Sequence, residues 1–291
     1  MAVLVTARGF ADATVFGGSR TGGAWKQAPA GRPVRWRMVS DVPCERFGRL
    51  DRLSRHALMA AEMLGLPVPA PGPRTDYAIC VGTQHGCISV DADFYRSISQ
   101  PGGASPLLFT YTLPSSAMAE IAIRHSITGP NICLLAGPGS AAAALSEGIA
   151  LIERADAAAC VCVACDAVST GAACSEVAEA CFAAAFLLQS RDAARRHTNH
   201  PIAEIMVVAK DERGRKRNEE QPTGNKEQAV RDREQESGVS DHASRNAEAA
   251  RSFYDFLAPG GSTRSWTTNG AHFRLIAERI GHHGFATEEQ I

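Results

Sequence analysis

The sequence has few aromatic residues, no excess of charge of either sign and no long uninterrupted apolar run. Aromatic side chains make up 6% of the 291 residues, although 45% of the chain is hydrophobic and rich in alanine and glycine. The formal net charge of −1 gives no overall field that would attract nucleic acid or an anionic membrane surface. Because no apolar stretch approaches the roughly 20 residues that a membrane helix needs, we expect no membrane span.

The beginning of the chain lacks the features of a secretory signal. MAVLVTARGF contains Arg8 and shows no apolar core followed by a small-residue cleavage site. The nine cysteines are odd in number and lie mostly in apolar runs, which favours reduced thiols over a disulfide framework. Together these features predict a soluble, cytoplasmic protein that binds neither nucleic acid nor membrane.

The composition of the chain changes sharply near residue 211. The long apolar runs lie in residues 1–210, which we predict to be one domain. Residues 211–249 carry mixed charges and few apolar residues, which is typical of a disordered linker. The basic residues there are interspersed with acidic ones, so a solvated loop is favoured over a nucleic-acid patch. Residues 250–291 form a short C-terminal tail with two apolar elements, SFYDFLAP and AHFRLIAERI.

Apolar runs and helical periodicities alternate within the first 210 residues. AVLVTARGF, YAICVGT, NICLLAG, AAACVCVACDAV and PIAEIMVVAKD predict strands, whereas RLDRLSRHALMAAEMLGL, SSAMAEIAIRHSI and SAAAALSEGIALIERA predict helices. The segment SEVAEACFAAAFLLQS is compatible with either an amphipathic helix or a strand. Serine at the start of SSAMAEIAIRHSI is a candidate N-cap. This order predicts a layered α/β domain with a mixed sheet.

A Gly-Pro-Gly-Ser turn lies between a predicted strand and a predicted helix, and its first interpretation is a dinucleotide site. The segment from Gly137 to Ala142 satisfies G-x-G-x-x-A, and Asp166 ends the next strand, where a ribose-binding acid would stand. Asp166 nevertheless follows Gly137 by 29 residues, against the usual spacing of about 20. Pro138 also removes one backbone N–H from the cradle.

The second interpretation is a nucleophile elbow, with Ser140 or a nearby thiol as the attacking group. The hydrolase pattern G-x-S-x-G is absent, because alanines follow Ser140. Serine is also a favoured N-cap, since its hydroxyl accepts a bond from a free amide of the first helical turn. Capping is therefore the favoured role of Ser140 at this point.

The third interpretation rests on a resemblance that covers residues 2–210. VGTQHG is followed by ASPLLFTYTLPSSAMAEIAIRHSITGPNICLLAGPGSAAAAL, by the helix and strand up to ACDAV, and by FAAAFLLQS and PIAEIMVV. In this order the blocks resemble the N-terminal half of a β-ketoacyl synthase. The resemblance implies a thiolase-like α/β half, in which a mixed sheet has helices on both faces.

In synthases of this family a cysteine at the elbow accepts the acyl chain from an acyl carrier protein, and two histidines of the C-terminal half assist decarboxylation. Aligning the G-P at residues 129–130 places the nucleophile position at Pro138, which has no nucleophilic atom. The turn of Gly137, Gly139 and Ser140 remains, with Cys133 and Ser140 as weak substitutes for the nucleophile. The tail also lacks the histidine motifs of the C-terminal half.

The resemblance therefore implies a noncatalytic protein of fatty-acid, polyketide or polyene biosynthesis, without cofactor or metal. Its expected partners are an acyl carrier protein, a complete ketosynthase or both, in a homo- or hetero-oligomer. Two alternatives stay open: an acyltransferase or condensing enzyme with an altered nucleophile, and an NAD(P)-binding protein.

Other residues with chemical potential show weaker patterns. Cys160, Cys162 and Cys165 suggest a metal site, but alternation along a strand places Cys165 on the face opposite the other two. The carboxylates Glu120 and Glu147 have no visible second member for acid–base catalysis. Six of the nine histidines carry no partner motif, and we expect structural or surface roles for them: His56, His85, His125, His272, His282 and His283.

Overall fold

A mixed sheet of ten strands organises the computed structural model, which describes residues 2–30, 32–168, 180–197, 200–209, 250–257, 265–269 and 273–280. The strands are β1 (Val3–Asp12), β2 (Val15–Gly18), β3 (Trp25–Gln27), β4 (Tyr77–Gly82), β5 (Asn131–Leu134), β6 (Ala159–Val168), β7 (Ala180–Ser190), β8 (Ala203–Ala209), β9 (Ser265–Asn269) and β10 (Phe273–Arg279). Their order is β5-β4-β6-β7-β1-β8-β10-β9, with β2 on β1 and β3 on β2.

The sheet combines parallel and antiparallel pairs. β4 runs parallel to both β5 and β6. The other pairs along the sheet are antiparallel: β6 with β7, β7 with β1, β1 with β8, β8 with β10 and β10 with β9. Parallel neighbours need a crossover connection, and helices supply it between β4 and β5 and between β5 and β6. The predicted mixed sheet is confirmed. The segment SEVAEACFAAAFLLQS was compatible with either a helix or a strand, and its described part, Ala180–Ser190, is the strand β7.

Helices cover both faces of the sheet. They are α1 (Trp36–Val39), α2 (Arg52–Glu62), α3 (Ile88–Ile98), α4 (Pro106–Phe109), α5 (Ser116–His125), α6 (Ser140–Glu153), α7 (Arg191–Arg196) and α8 (residues 250–256). Val161 and Val163 of β6 pack on the side of α2, whereas Cys160 and Cys162 pack on the side of α6. Burial on both faces explains why the central strands read as continuous apolar runs.

Helix α2 begins at a well-formed cap. The carboxylate of Asp51 accepts the backbone N–H groups of Leu53 at 3.0 Å and Ser54 at 3.1 Å, which satisfies two amides of the first turn. The helix then packs so closely on β1 that a Cβ at Gly9 would overlap the carbonyl oxygen of Ala60. Glycine at this position of β1 is therefore required for the contact of the helix with the sheet.

The C-terminal end of α2 carries a buried ionic cluster around Glu62. The Glu62 carboxylate lies 3.2 Å from the guanidinium of Arg124 and 3.3 Å from that of Arg20, and it accepts the hydroxyl of Ser40 at 2.7 Å. The ring of His125, also buried, lies 3.8 Å away. A buried carboxylate is tolerated when paired and hydrogen-bonded in this way, so the cluster joins α2, α5 and the loop after α1.

The tail joins the same sheet. β10 pairs antiparallel with β8, and β9 pairs with β10. Phe253 and Tyr254 of α8 are buried in the core on the α6 side, and Arg8 of β1 donates to the carbonyl of Tyr254 at 2.8 Å. The tail therefore contributes a helix and two strands to the fold. The predicted linker, residues 211–249, lies outside the described residues.

Candidate functional site

The turn at residues 136–140 lies between the edge strand β5 and helix α6. Gly137, Pro138 and Gly139 form one turn of 3₁₀ helix. Gly137 has φ +57°, a left-handed conformation that glycine adopts without steric cost. Pro138 is exposed. The position at which the resemblance expects a nucleophile is thus the solvent-facing tip of the elbow, and it holds a proline.

Ser140 ties this turn to the neighbouring strand. Its buried hydroxyl lies 2.8 Å from the carbonyl oxygen of Thr83 and 2.7 Å from that of Gly137, and it accepts the amide of Ala136 at 3.0 Å. The N-cap residue of α6 is Gly139, and no side-chain cap bond is made there. The predicted capping role of Ser140 is therefore wrong, because the nearby carbonyl groups take its hydroxyl instead.

A glycine at the end of β4 allows this close approach. A Cβ at Gly82 would overlap the carbonyl oxygen of Ser140 and lie 2.7 Å from its carbonyl carbon. Both are backbone atoms at the start of α6, so they cannot rotate away. The absence of a side chain at Gly82 fixes how near the elbow and α6 come to the centre of the sheet.

The loop that follows β4 is held by one buried carboxylate. Asp166 accepts the hydroxyl of Thr83 at 2.8 Å and the backbone N–H groups of Gln84 at 2.9 Å and His85 at 3.0 Å. Asp166 is only 1% exposed. The interpretation of Asp166 as a ribose-binding acid is wrong, because its carboxylate is engaged by the protein's own donors. Nothing in the sequence spacing signalled this role, since the donors lie about 80 residues earlier.

Cys133 lies in the short edge strand β5, not at the elbow. It pairs in register with Val81 of β4, and it is partly exposed. Burial raises the pKa of its thiol, so the nucleophilic thiolate is disfavoured. Ser140 is no better placed, because it is fully buried and already hydrogen-bonded. Of the two weak candidates, Cys133 is thus partly exposed on the edge strand and Ser140 is buried, while the elbow tip carries no nucleophilic atom.

The three cysteines of C-x-C-x-x-C do not converge. Cys160 and Cys162 lie in the core on the α6 side with their sulfur atoms 3.7 Å apart. Cys165 lies in the core on the α2 side. The predicted alternation along β6 is confirmed. Within the described ranges, no group of three or more histidine, cysteine or acidic side chains could hold a metal ion.

Several other predicted residues have structural partners. Glu120 pairs with Arg46 at 2.7 Å and Glu147 with Arg154 at 3.3 Å. His85 lies 3.6 Å from Asp166, and the ring of His56 lies 2.8 Å from the carbonyl of Arg52. His272, His282 and His283 lie outside the described residues. Ser115, the predicted cap of α5, stands at the N-cap position but makes no side-chain cap bond.

Comparison with solved structures identifies the architecture. A β-ketoacyl synthase from Burkholderia phymatum matches with a TM-score of 0.61 at 11% identity, over 96% of this chain and 99% of that chain. A ketosynthase in complex with its chain length factor, from Xenorhabdus doucetiae, matches with a TM-score of 0.55 at 14% identity, over 96% and 100%. The chain has the fold of the β-ketoacyl synthases.

This thiolase-like fold was predicted from the order of sequence blocks, and the prediction is confirmed at the level of the fold. The ishigamide ketosynthase/chain length factor matches with a TM-score of 0.55 at 18% identity, over 72% of this chain and 68% of that chain. No family model matches the chain. No curated protein matches it either.

The helices of the described residues are too short or too polar to cross a membrane.

Proposed function

We propose that this chain is a noncatalytic β-ketoacyl-synthase-like protein of fatty-acid, polyketide or polyene biosynthesis, which pairs with an active synthase, an acyl carrier protein or both. The observation that carries the proposal is Pro138 at the exposed tip of the elbow. A covalent acyl intermediate needs an activated nucleophile, and proline offers none. The scaffold of the elbow is retained without the atom that would accept an acyl chain.

An apolar surface beside the elbow supports a role as a partner. We call it the α3–α4 surface; its exposed side chains include Tyr95 of α3, 75% exposed, and Phe109 of α4, 64% exposed. The two helices are in contact, since the rings of Phe94 and Phe109 lie 5.5 Å apart. The other exposed apolar members are Ile98, Leu107 and Leu113.

This surface extends to the elbow itself. Leu135, which follows β5 and is 57% exposed, lies next to Gly86, and so does Pro114, the neighbour of Leu113. Among the strands that the structure describes, β5 is also at the edge of the sheet. Exposed apolar side chains next to an unpaired strand edge are features of protein–protein interfaces. The proposal is therefore that the partner covers the α3–α4 surface and the end of β5.

The neighbours are consistent with partners of this kind. One solved neighbour is a ketosynthase in complex with its chain length factor. Another is an acyl carrier protein in complex with its ketosynthase, with a TM-score of 0.51 at 16% identity. For the present chain these partnerships are part of the proposal.

The covalent part of the proposal is tested by incubating the protein with an acyl thioester and measuring its intact mass. We expect no adduct on the natural chain. In Pro138→Cys the new thiol is exposed at the elbow, and it should react readily with iodoacetamide, which shows that the position is accessible. An acyl adduct on Cys133 or Ser140 of the natural chain would contradict the noncatalytic role and support the acyltransferase alternative.

The partner part of the proposal is tested by coexpression with each condensing enzyme and carrier protein that the neighbouring genes are found to encode. We expect a stable complex in size-exclusion chromatography with light scattering. Phe109→Asp should disrupt it, because a carboxylate would be buried against apolar surface. Ile123→Asp, at an exposed apolar position on α5, is the matched control. A monodisperse monomer that binds none of these proteins contradicts the proposal.

A further inference from the structure

A cavity of 380 Å³ lies on the α2 side of the sheet, beside the first turn of α2. Its volume is within the range of small-molecule sites, about 300–1,000 Å³. The residues that line it come from the turn after β1, from the segments before and after α1, from α1 and α2 themselves and from the start of β7. They include Ala13, Val34, Trp36, Phe47, Met59 and Cys181. This part of the lining is apolar and aromatic.

The cationic part of the lining is concentrated on one face of α2. Arg52, Arg55 and His56 are spaced at i, i+3 and i+4, so they share a side of the helix, and all three line the cavity. Arg35, the residue before α1, adds a third guanidinium. Burial lowers the pKa of His56, so the positive charge of the cavity comes from the arginines.

One of these arginines has unused hydrogen-bonding capacity. The guanidinium of Arg55 donates one bond, at 3.0 Å, to the carbonyl of Gly48. Its Nε is buried and has no hydrogen-bond partner among the residues that the structure describes. The guanidinium as a whole lines the cavity, and an arginine fork donates readily to a carboxylate or a phosphate.

Two carboxylates whose charges act on lining residues, Asp51 and Asp12, accept hydrogen bonds from backbone amides. Asp51 caps α2 through the amides of its first turn, and Asp12 accepts the amides of Thr14 and Val15, each at 2.7 Å. Among the described residues, no carboxylate is part of the cavity lining. The described lining of the cavity therefore combines an apolar wall with guanidinium groups and contains no carboxylate.

We propose that this cavity binds an amphipathic anion, an aliphatic chain that ends in a carboxylate or a phosphate. The aliphatic chain would lie against Trp36, Phe47 and Met59, and the anionic head would contact Arg35 and Arg55. The proposal is independent of the noncatalytic partner role, because the cavity is lined by α1 and α2 whereas the elbow belongs to β5 and α6.

The proposal is tested by isothermal titration calorimetry on the full chain with decanoate and with decyl phosphate. The matched control ligands are acetate, which lacks the long aliphatic chain, and decanol, which lacks the negative charge. We expect both anionic amphiphiles to bind, with the tighter one identifying the preferred head group, and acetate and decanol to bind weakly or not at all. Binding should weaken as salt is raised, because screening reduces the attraction between charges.

Variants separate the cationic contact from general hydrophobic binding. Arg35→Gln combined with Arg55→Gln should weaken decanoate binding about tenfold or more, since a charge-assisted hydrogen bond contributes that much. Arg37→Gln, an exposed position on α1 outside the cavity lining, should change affinity less than about twofold. Circular dichroism and thermal melting establish that each variant is folded.

Three results would overturn the proposal. One is no heat of binding for either anionic amphiphile at millimolar concentration. Another is equal affinity for decanol and decanoate. The third is an unchanged affinity in the folded double variant.

Discussion

A single methyl group at Gly82 should separate the elbow from the centre of the sheet. In Gly82→Ala the added carbon would overlap the carbonyl oxygen of Ser140 and lie 2.7 Å from its carbonyl carbon and 3.1 Å from the Cβ of Ala144. All three contacts belong to the first turns of α6. Because two of them are backbone atoms, the strain can be relieved only by moving the helix or the end of β4.

The expected loss of stability follows from this geometry. Inserting a methyl group into a well-packed core costs about 1–3 kcal/mol, and a contact with backbone belongs at the upper end of that range. The displaced helix would also disturb the Ser140 hydroxyl, which joins the turn to the carbonyl of Thr83. We therefore expect the free energy of unfolding to fall by about 3 kcal/mol.

Urea denaturation followed by circular dichroism measures this loss. Gly48→Ala is the matched control, because a Cβ at Gly48 would meet no atom within 4 Å and the residue has no left-handed φ. Its stability should be unchanged or higher by about 0.4–1 kcal/mol, since alanine restricts the unfolded chain. A loss of less than about 1 kcal/mol for Gly82→Ala would refute the close approach of β4 and α6.

Three further predictions concern buried groups. Asp166→Ala should lower the free energy of unfolding by about 3 kcal/mol and raise the rate of hydrogen exchange at the amides of Gln84 and His85. Asp166→Asn keeps an acceptor oxygen and should have a smaller effect. Equal effects of the two variants would contradict the role of that oxygen. Burial lowers the pKa of His125 to about 4, below its unfolded value of about 6.5. The unfolded chain therefore takes up the proton first, and the free energy of unfolding should fall by about 3 kcal/mol as the pH drops from about 6.5 to about 4. His125→Asn should flatten this pH dependence of stability. An unchanged slope in the variant would exclude His125 as its source. Iodoacetamide should label the partly exposed Cys44 and Cys133 before it labels the buried cysteines Cys80, Cys160 and Cys162. Peptide mass mapping measures this order, and early labelling of Cys160 would contradict the packing of β6.

Five strands and three helices were predictable because their signals are local. The apolar run of β6 and the periodicity of α2 follow from the side on which each residue is buried. The same local geometry placed Cys165 opposite Cys160 and Cys162, as the structure has them. The order of blocks was enough to predict the thiolase-like fold.

The roles of individual polar residues were harder to predict because their partners are distant in sequence. Ser140 looked like a helix cap, but the carbonyl of Thr83, 57 residues earlier, takes its hydroxyl. Asp166 looked like a ligand-binding acid, but Thr83, Gln84 and His85 engage its carboxylate. In both cases the competing groups come together only when β4 lies beside β6 and α6.

The sequence by itself predicted β1, β4, β5, β6 and β8, the helices α2, α5 and α6 and the proline at the elbow, because residue type and periodicity depend on neighbours along the chain. Only the tertiary structure decided that this proline is exposed, that α8 packs in the core while β10 pairs with β8, and that Arg35 and two arginines of α2 line one cavity. Those features depend on contacts between segments far apart in the chain, and residue spacing carries no record of such contacts.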